Sequence, residues 1–411
     1  MKKKILTLTA LSAILVASNA HASGFHLKEQ SVSGLGTAFA GSSSGGQDIS
    51  ASYFNPAVLT RYKGSQIVFG ATYVAPTAKL KYARSTAAPA QVDGPSSDVV
   101  SNAVVPNFYA SKQLNDDIFL GISFNAPFGL VTKYDDNWAG RDHGTLSDLK
   151  TYTMTPMLAY KMDDKMSVGV GAQIQHVKAR LRNGVVAGQG QAVLEGDTTD
   201  AGYVFGAQYE WRKDTRFGAG YRSRIHHKLK GDIDLTNVTP MPAMNGSYPI
   251  NAELTTPAVA SFGITHDLNE KVSLMAEFQR TYWSVFDELR IKGVPGGDSV
   301  TPEKWKNTNF YSIGASYQLN DEWKLRGGLG FDKSAVKKEY RTPRIPDSNR
   351  NWYSLGAQYK PNEKMAIDMG YTFIRAADGA KINLANKVGG SLQADYKSYV
   401  HIIGVGVTYN F

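Results

Sequence analysis

The chain ends in Tyr399-Val-His-Ile-Ile-Gly-Val-Gly-Val-Thr-Tyr-Asn-Phe411. Its odd positions read Tyr, His, Ile, Val, Val, Tyr, Phe, and its even positions read Val400, Ile402, Gly404, Gly406, Thr408, Asn410. One face is large, apolar and closed by aromatics, while the other turns small and polar. A period of two is a β-strand. In a soluble sheet the apolar face would be core; in an outer-membrane barrel it would face lipid.

The same alternation returns upstream. Tyr353, Leu355, Ala357 and Tyr359 alternate with Ser354, Gly356, Gln358 and Lys360. Tyr311 to Gln318 and Ala258 to Thr265 repeat it. Between such runs lie short polar turns at 115–117, 163–164, 213–215, 268–270, 320–322 and 362–363. Longer connections fall near 77–104, 130–149, 183–198, 232–251, 293–304, 338–349 and 379–392. Six turns and seven loops make 13 connections and therefore 14 strands. Short turns on one side and long loops on the other mark a transmembrane barrel. The expected fold is all-β: a 14-stranded antiparallel transmembrane barrel. A soluble sandwich or propeller would leave the loop asymmetry and the aromatic terminus unexplained.

Composition agrees. In 411 residues, hydrophobic types make up 42% and charged types 20%, with 22 Tyr and 40 Gly, a mixture that favours strands, tight turns and interface belts. There is no cysteine, which excludes a disulfide framework, a thiolate zinc site and a thiol nucleophile. The start, Met-Lys-Lys-Lys followed by Ile5-Leu-Thr-Leu-Thr-Ala-Leu-Ser-Ala-Ile-Leu-Val-Ala-Ser and Ala20-His21-Ala22, reads as a signal peptide over residues 1–22. Removing its three Lys lowers the formal charge from +9 to +6. No later run of about 18 apolar residues offers a membrane helix.

The first strand should begin near Gly64, so residues 23–63 precede the barrel over 64–411. They carry Phe25, Leu27, Leu35, Phe39, Ile49, Tyr53, Phe54 and Leu59, enough apolar surface to fold. The lumen of so wide a barrel exceeds what its own side chains can fill, and this segment can plug it. Within it, Gly41-Ser-Ser-Ser-Gly45 matches the G-x-S-x-G pattern of a hydrolase elbow. That motif needs a strand, a sharp turn and a helix in an α/β sheet, and its surroundings read otherwise.

Ser23-Gly24-Phe25-His-Leu-Lys-Glu-Gln, Ser33-Gly34-Leu35-Gly36-Thr-Ala and Asn55-Pro56-Ala57 resemble the N-terminal hatch of the FadL family of outer-membrane long-chain fatty acid transporters. Asn125-Ala-Pro-Phe-Gly-Leu130 resembles that family's third-strand kink, Trp138-Ala-Gly140 and Ser147-Asp-Leu149 the following loop, and Ile345-Pro-Asp-Ser-Asn-Arg350-Asn-Trp352 a late segment. The resemblance runs through the whole mature chain. It implies a bacterial outer-membrane protein that takes up hydrophobic molecules by passive diffusion gated by the hatch. It also implies that Asn55, Pro56 and Ala57 anchor the hatch, that Phe25 reaches the binding pocket, and that a kink at Pro127, Phe128 and Gly129 opens a side exit. The plainer readings are an ordinary turn at Asn55-Pro56 and a hatch-core Phe25.

The residues add their own arguments. A fatty acid joins a long alkyl tail to one carboxylate, so its site should be an apolar tunnel ending at a cation. Lys178, Arg180 and Arg182 stand at spacing two near a strand end. They share parity with Val168, Val170 and Ile174, so they face inward only if the strand bulges near His176; otherwise they form an outer rim for lipopolysaccharide phosphates. Pro127 cannot donate to a ladder, so with Gly129 it predicts a local break. Asp332 and Arg350 share luminal parity on consecutive strands; they could pair with each other and hold the hatch at Asn55, or be an unrelated wall pair. Leu130, Val131, Tyr134, Trp138, Leu146 and Leu149 form either an exposed capture groove or loop packing. His226 and His227 are adjacent, face opposite sides, and make no metal site. The expected partners are a long-chain fatty acid or similar hydrophobic molecule and the surrounding lipid and lipopolysaccharide. No cofactor, metal, nucleic acid or catalytic residue is expected, and the chain is taken to act as a monomer. The alternatives are uptake of aromatic hydrocarbons or other xenobiotics, an outer-membrane lipase, and a surface receptor.

Overall fold

Fourteen antiparallel strands close on themselves in a computed structural model that describes residues 24–86, 98–185, 190–239, 241–377, 379–387 and 390–411. The proposed signal peptide lies outside the described residues. In chain order the strands are β1 (Ser65–Ser85), β2 (Ala103–Gln113), β3 (Ile118–Asn125 and Gly129–Lys133), β4 (Leu146–Lys161), β5 (Met166–Gly184), β6 (Gln191–Arg212) and β7 (Thr215–Arg222 and Ile225–Thr236). They continue as β8 (Gly246–Thr256 and Val259–Asp267), β9 (Val272–Thr281 and Glu288–Lys292), β10 (Ser299–Pro302 and Thr308–Gln318), β11 (Trp323–Asp332), β12 (Arg350–Asn362), β13 (Met365–Ala376 and Ala380–Lys387) and β14 (Gly390–Asn410). Each pairs with its neighbour in sequence, and β1 also pairs with β14, from Gln66↔Asn410 to Ser85↔Leu392. Closure leaves no free sheet edge, which a bilayer requires. Among the described residues no helix is long and apolar enough to cross a membrane.

The alternation read from the last strand holds in space. Ile403 and Val405 are half exposed on the outer wall, whereas Ile402 is fully buried. Leu355 and Ile313, from two of the upstream runs, are likewise exposed on the outward faces of β12 and β10. The short turns fall where the sequence places them. Several long connections are shorter than read, because the strands continue as hairpins beyond the membrane. Over the segment near 379–392, Ala380–Lys387 pairs back onto β14. Ile382 and Leu384 there pack with Leu392, Ala394 and Tyr396 into an apolar cluster. Extending a hairpin satisfies the backbone groups that a loop would leave to water.

The residues ahead of β1 fill the lumen. They form a one-turn helix α1 (Val32–Leu35) and two 3₁₀ turns, Ile49–Tyr53 and Pro56–Arg61, and are buried nearly throughout. Glycines on the wall make room for them. Gly169 and Gly206 are register partners on β5 and β6. A Cβ on Gly206 would collide with Asn55 Oδ1, and one on Gly169 with the Pro56–Ala57 peptide. Gly218, Gly328 and Gly356 meet the backbone of Ser43, Thr37 and Gly36 in the same way. Small luminal residues are therefore the imprint of the plug on the strands.

Gly206→Val should unseat this segment while the barrel stays closed, at a cost of about 1–3 kcal/mol typical of overpacking. Hydrogen exchange at residues 41–57 should rise, and the compact barrel should keep its heat-modifiable mobility on gels; unchanged exchange would show that the segment does not rest on this wall.

Candidate ligand cavities and hatch

The third strand breaks at Ala126–Phe128, as Pro127 predicts. Below the break β3 pairs with β2, from Gln113↔Phe119 to Phe108↔Phe124. Above it, β3 pairs with β4 from Gly129↔Lys150 onward. A gap opens between β2 and β3, and the N-terminal segment fills it. Leu27 N donates to Pro127 O at 2.8 Å, and Gly129 N donates to Phe25 O at 3.0 Å, so His26 stands opposite Phe128 as a strand residue would. The other side of the break is held by Thr151, whose hydroxyl accepts from Phe128 N and donates to Phe128 O. Gln30 Nε2 donates to Ala126 O, and Tyr109 OH donates to Gln30 O.

Three cavities lie in series along this gap. The innermost, about 110 Å³, is lined by Phe25, Leu130, Leu149, Leu229, Leu254 and Ile345, with Ser147, Glu195, Lys230, Glu303 and Arg344 as polar members. Phe25 is buried there in an aromatic cage, with ring centroids 4.6 Å from Trp283, 5.7 Å from Trp305, 5.9 Å from Phe286 and 6.0 Å from Phe128. Leu130 and Leu149 also line a narrow cleft of about 20 Å³ at the break, beside Leu27. That cleft shares Pro106, Ala126 and Tyr152 with a groove of about 400 Å³ on the outer wall, where Phe69, Phe124 and Ile174 are exposed. The three spaces are thus strung from the luminal side of the break to the lipid-facing surface, each sharing lining residues with the next.

The hatch is fixed by polar bonds that hydrophobic patterning does not reveal. Asn55 Nδ2 donates to Ser43 O at 2.7 Å and to Ala207 O of the wall at 2.9 Å, and Asn55 Oδ1 accepts from Ala57 N at 3.0 Å. Arg222 donates to Tyr53 O and lies over its ring. Ser43 N and Oγ both donate to Glu277, and Ser44 Oγ bonds Thr265 Oγ1. The Ser-rich stretch of Gly41–Gly45 thus ties the plug to the wall.

Several expectations need correction. β5 runs from Met166 to Gly184 in one unbroken register with β6. With no bulge near His176, Lys178, Arg180 and Arg182 stay on the outward parity, and Val177, Ala179 and Leu181 turn inward. Arg180 pairs with Glu195 at 2.7 Å and Arg182 with Asp136 at 2.6 Å. These three residues are not the cation of the inner cavity. Trp138 is not an exposed capture residue: it is buried, stacks on Tyr134 at 4.1 Å and donates to Gly144 O. Leu130, Tyr134 and Leu149 are buried too, so the loop presents no open groove. Asp332 and Arg350 face each other in the ladder, but Arg350 turns to Asp347. Asp347 Oδ2 in turn accepts from Gly24 N at 3.1 Å and from Ser334 Oγ at 2.8 Å. Arg350 therefore holds the hatch at its N-terminal end, far in sequence from Asn55. His227 points inward between Asp200 and Gln175, while His226 points outward.

Arg344 was not singled out by its sequence. It lies in the loop between β11 and β12, half-buried against the inner cavity. Its guanidinium donates to three neutral oxygens, Leu146 O at 2.9 Å, Ser147 Oγ at 3.1 Å and Asn183 Oδ1 at 3.2 Å. Burial pushes its pKa down to about 10, so it stays charged at neutral pH, and Glu303 supplies the main opposing charge. A lone Arg in a loop carries no periodic signal; only the closed structure brings it over the cavity.

Residues 13–411 match the family model described as outer membrane protein transport protein (OMPP1/FadL/TodX). The chain belongs to this family. Outer membrane protein P1 of Haemophilus influenzae is 28% identical, with all of both chains covered. The long-chain fatty acid transport protein of Salmonella typhi is 26% identical over the whole of both chains. A FadL homologue from Pseudomonas aeruginosa superposes with a TM-score of 0.86 at 25% identity, covering 94% of this chain and 100% of that one. The Pseudomonas putida toluene transporter TodX superposes with a TM-score of 0.72 at 18% identity, covering 95% and 100%, which speaks to fold alone. Like the rest of the FadL family, the protein is an outer-membrane transport channel for hydrophobic compounds and not an enzyme.

Asp347→Ala should free both Gly24 and a buried Arg350. Removing one partner of a buried pair costs about 3–5 kcal/mol, so thermal stability should fall and exchange at 24–30 should rise. The double variant Asp347→Ala, Arg350→Ala should recover part of the loss in stability; no recovery would mean that the pair is not what holds the N-terminal end.

Proposed function

We propose that this barrel takes up long-chain fatty acids, holding the carboxylate at Arg344 and the tail along the inner cavity, and releasing them sideways between β2 and β3. The observation that carries the reading is the series of three cavities, each sharing residues with the next, that ends on the lipid-facing wall. A tail of some 14 methylenes gains roughly 11 kcal/mol of gross drive into apolar surroundings, at about 0.8 kcal/mol each. The half-buried Arg344 gives the carboxylate a charge-assisted partner. The name of the Salmonella typhi relative is consistent with this ligand.

Volume links binding to release. An apolar cavity of about 150 Å³ takes one benzene, so the 110 Å³ cavity cannot enclose a whole alkyl tail. A long ligand must displace the Phe25 ring. Phe25 and Leu27 lie on the same strand-like segment, two residues apart, and Leu27 lines the cleft in the wall. Filling the cavity thus pulls on the seal of the gap. We take residues 23–63 as the hatch on this basis. Movement follows the ligand's gradient and draws on no other energy source. A second reading, uptake of monoaromatic hydrocarbons, is favoured by the same small volume and by the aromatic cage.

Arg344→Ala should weaken hexadecanoate binding to the purified barrel about 10–100-fold, the equivalent of one charge-assisted hydrogen bond of about 1.5–3 kcal/mol. Toluene should compete poorly, and the Arg180→Ala, Arg182→Ala double variant should bind like the parent. Full displacement by toluene with no effect of Arg344→Ala would move the ligand class to neutral aromatics.

A further inference from the structure

The wall breaks a second time, on another side of the cavity. β8 and β9 pair at Asn251↔Lys292 and Ala252↔Ile291, and then not again until Val259↔Thr281. Between these points Glu253–Ala258 faces Tyr282–Arg290 without a ladder. Among the backbone bonds of the described residues, Tyr282 N to Ala258 O is the one that spans the break. A 3₁₀ turn, Trp283–Val285, crosses it in place of a strand.

A cleft of about 570 Å³ lies on the outer face of this break. It and the inner cavity share four lining residues, Leu229, Lys230, Ala252 and Phe286. Leu229 and Ala252 belong to the continuous ladder between β7 and β8, where they are register partners, and so cannot part without unzipping it. Phe286 belongs to no ladder. Its ring is only 6% exposed and packs edge-on against Phe25 at 5.9 Å and Trp305 at 4.9 Å. It separates the two spaces.

The chemistry of the outer cleft differs from that of the exit groove. Along β8 the outward residues change from Phe262 and Ile264 to Glu253 and Asn251, so the cleft sits beyond the apolar belt, at headgroup level. Its charged rim comprises Lys228 and Lys230 from β7, Glu253 from β8, Glu288, Arg290 and Lys292 from β9, and Asp287 just ahead of that segment, with His226 beside them. Glu253 is shared by His226 and Lys292 at 3.7 Å, Glu288 binds Arg290 at 2.8 Å, and Asp287 binds Lys304 at 2.8 Å. Lys228 and Lys230 stand outside these pairs and point away from the barrel.

We propose that the β8–β9 break is an entrance: a long-chain amphiphile with an anionic head meets Lys228 and Lys230 on the outer face, and its tail enters the inner cavity past Phe286. This rests on the carboxylate ligand proposed above and gives that ligand a way in that is separate from its way out between β2 and β3.

The chain has no cysteine, so a single one can be placed cleanly. Lys228→Cys, capped with a bulky uncharged maleimide, should cover the cleft without touching the inner cavity. The probe is a bromine-bearing hexadecanoate, followed by stopped-flow quenching of tryptophan fluorescence, since Trp283 and Trp305 adjoin the cavity. Capping should slow association and dissociation together at least fivefold and leave the equilibrium Kd unchanged. Phe286→Ala should speed association several-fold, and the uncapped Lys228→Cys should fall between capped and parent protein. Saturable binding with the same association rate in capped and uncapped protein would overturn the entrance and leave the fatty acid reading standing. Absence of saturable binding in the parent would overturn that reading and, with it, the entrance.

Discussion

Two backbone hydrogen bonds, Leu27 N to Pro127 O and Gly129 N to Phe25 O, decide how this barrel can be both closed and passable. Pro127 interrupts the third strand and removes a donor from the ladder. An unpaired backbone inside a bilayer costs several kcal/mol per group, so the break must be patched. The patch comes from the hatch, whose stretch Phe25–Leu27 is bridged to the break at His26. The hatch is therefore more than a plug in the lumen: it also completes the wall.

Period-two geometry places the two ends of that patch in two different spaces. Phe25 sits in the ligand cavity and Leu27 in the wall cleft, with His26 facing Phe128 between them. The rest of the hatch is fastened to the barrel wall. Asn55, Arg222, Glu277 and Thr265 fasten the body of the plug to the strands, and wall glycines bring backbone against backbone. The N-terminal end hangs on Gly24 N and the Asp347–Arg350 pair. Cavity lining, wall seal and N-terminal tether thus fall within one short stretch of chain.

Much of this is legible in the sequence because a lipid-facing strand exposes its alternation along its whole length. Tyr399–Phe411, the polar turns and Pro127 each carry a local signal, and each appears in the structure where it was read. The hatch residues were reached through the motif resemblance, and the structure gives Asn55-Pro56-Ala57 its physical content. What was not legible depends on closure. Lys178, Arg180 and Arg182 could turn inward only through a bulge, and an unbroken register with β6 keeps them outside. Trp138 reads equally as an exposed capture residue or as loop packing until Tyr134 is found stacked on it. Arg344 has no sequence signature, because only closure brings its loop over the cavity; the second wall break does carry one, Pro257 between Thr256 and Val259, a signal of the same kind as Pro127.

Photo-crosslinking tests the central claim most directly, namely that hydrophobic cargo leaves through the wall at the third strand. A hexadecanoate carrying a photoreactive group near its tail end would be added to outer-membrane vesicles holding the protein, irradiated, and its adducts mapped by mass spectrometry. The account predicts adducts at Leu130 and Leu149, then at Leu27, Ala126 and Pro106, the residues shared along the path to the outer wall. Adducts running instead through the body of the hatch, at Ser43, Asn55 and Arg61, would contradict it and place the route through the lumen.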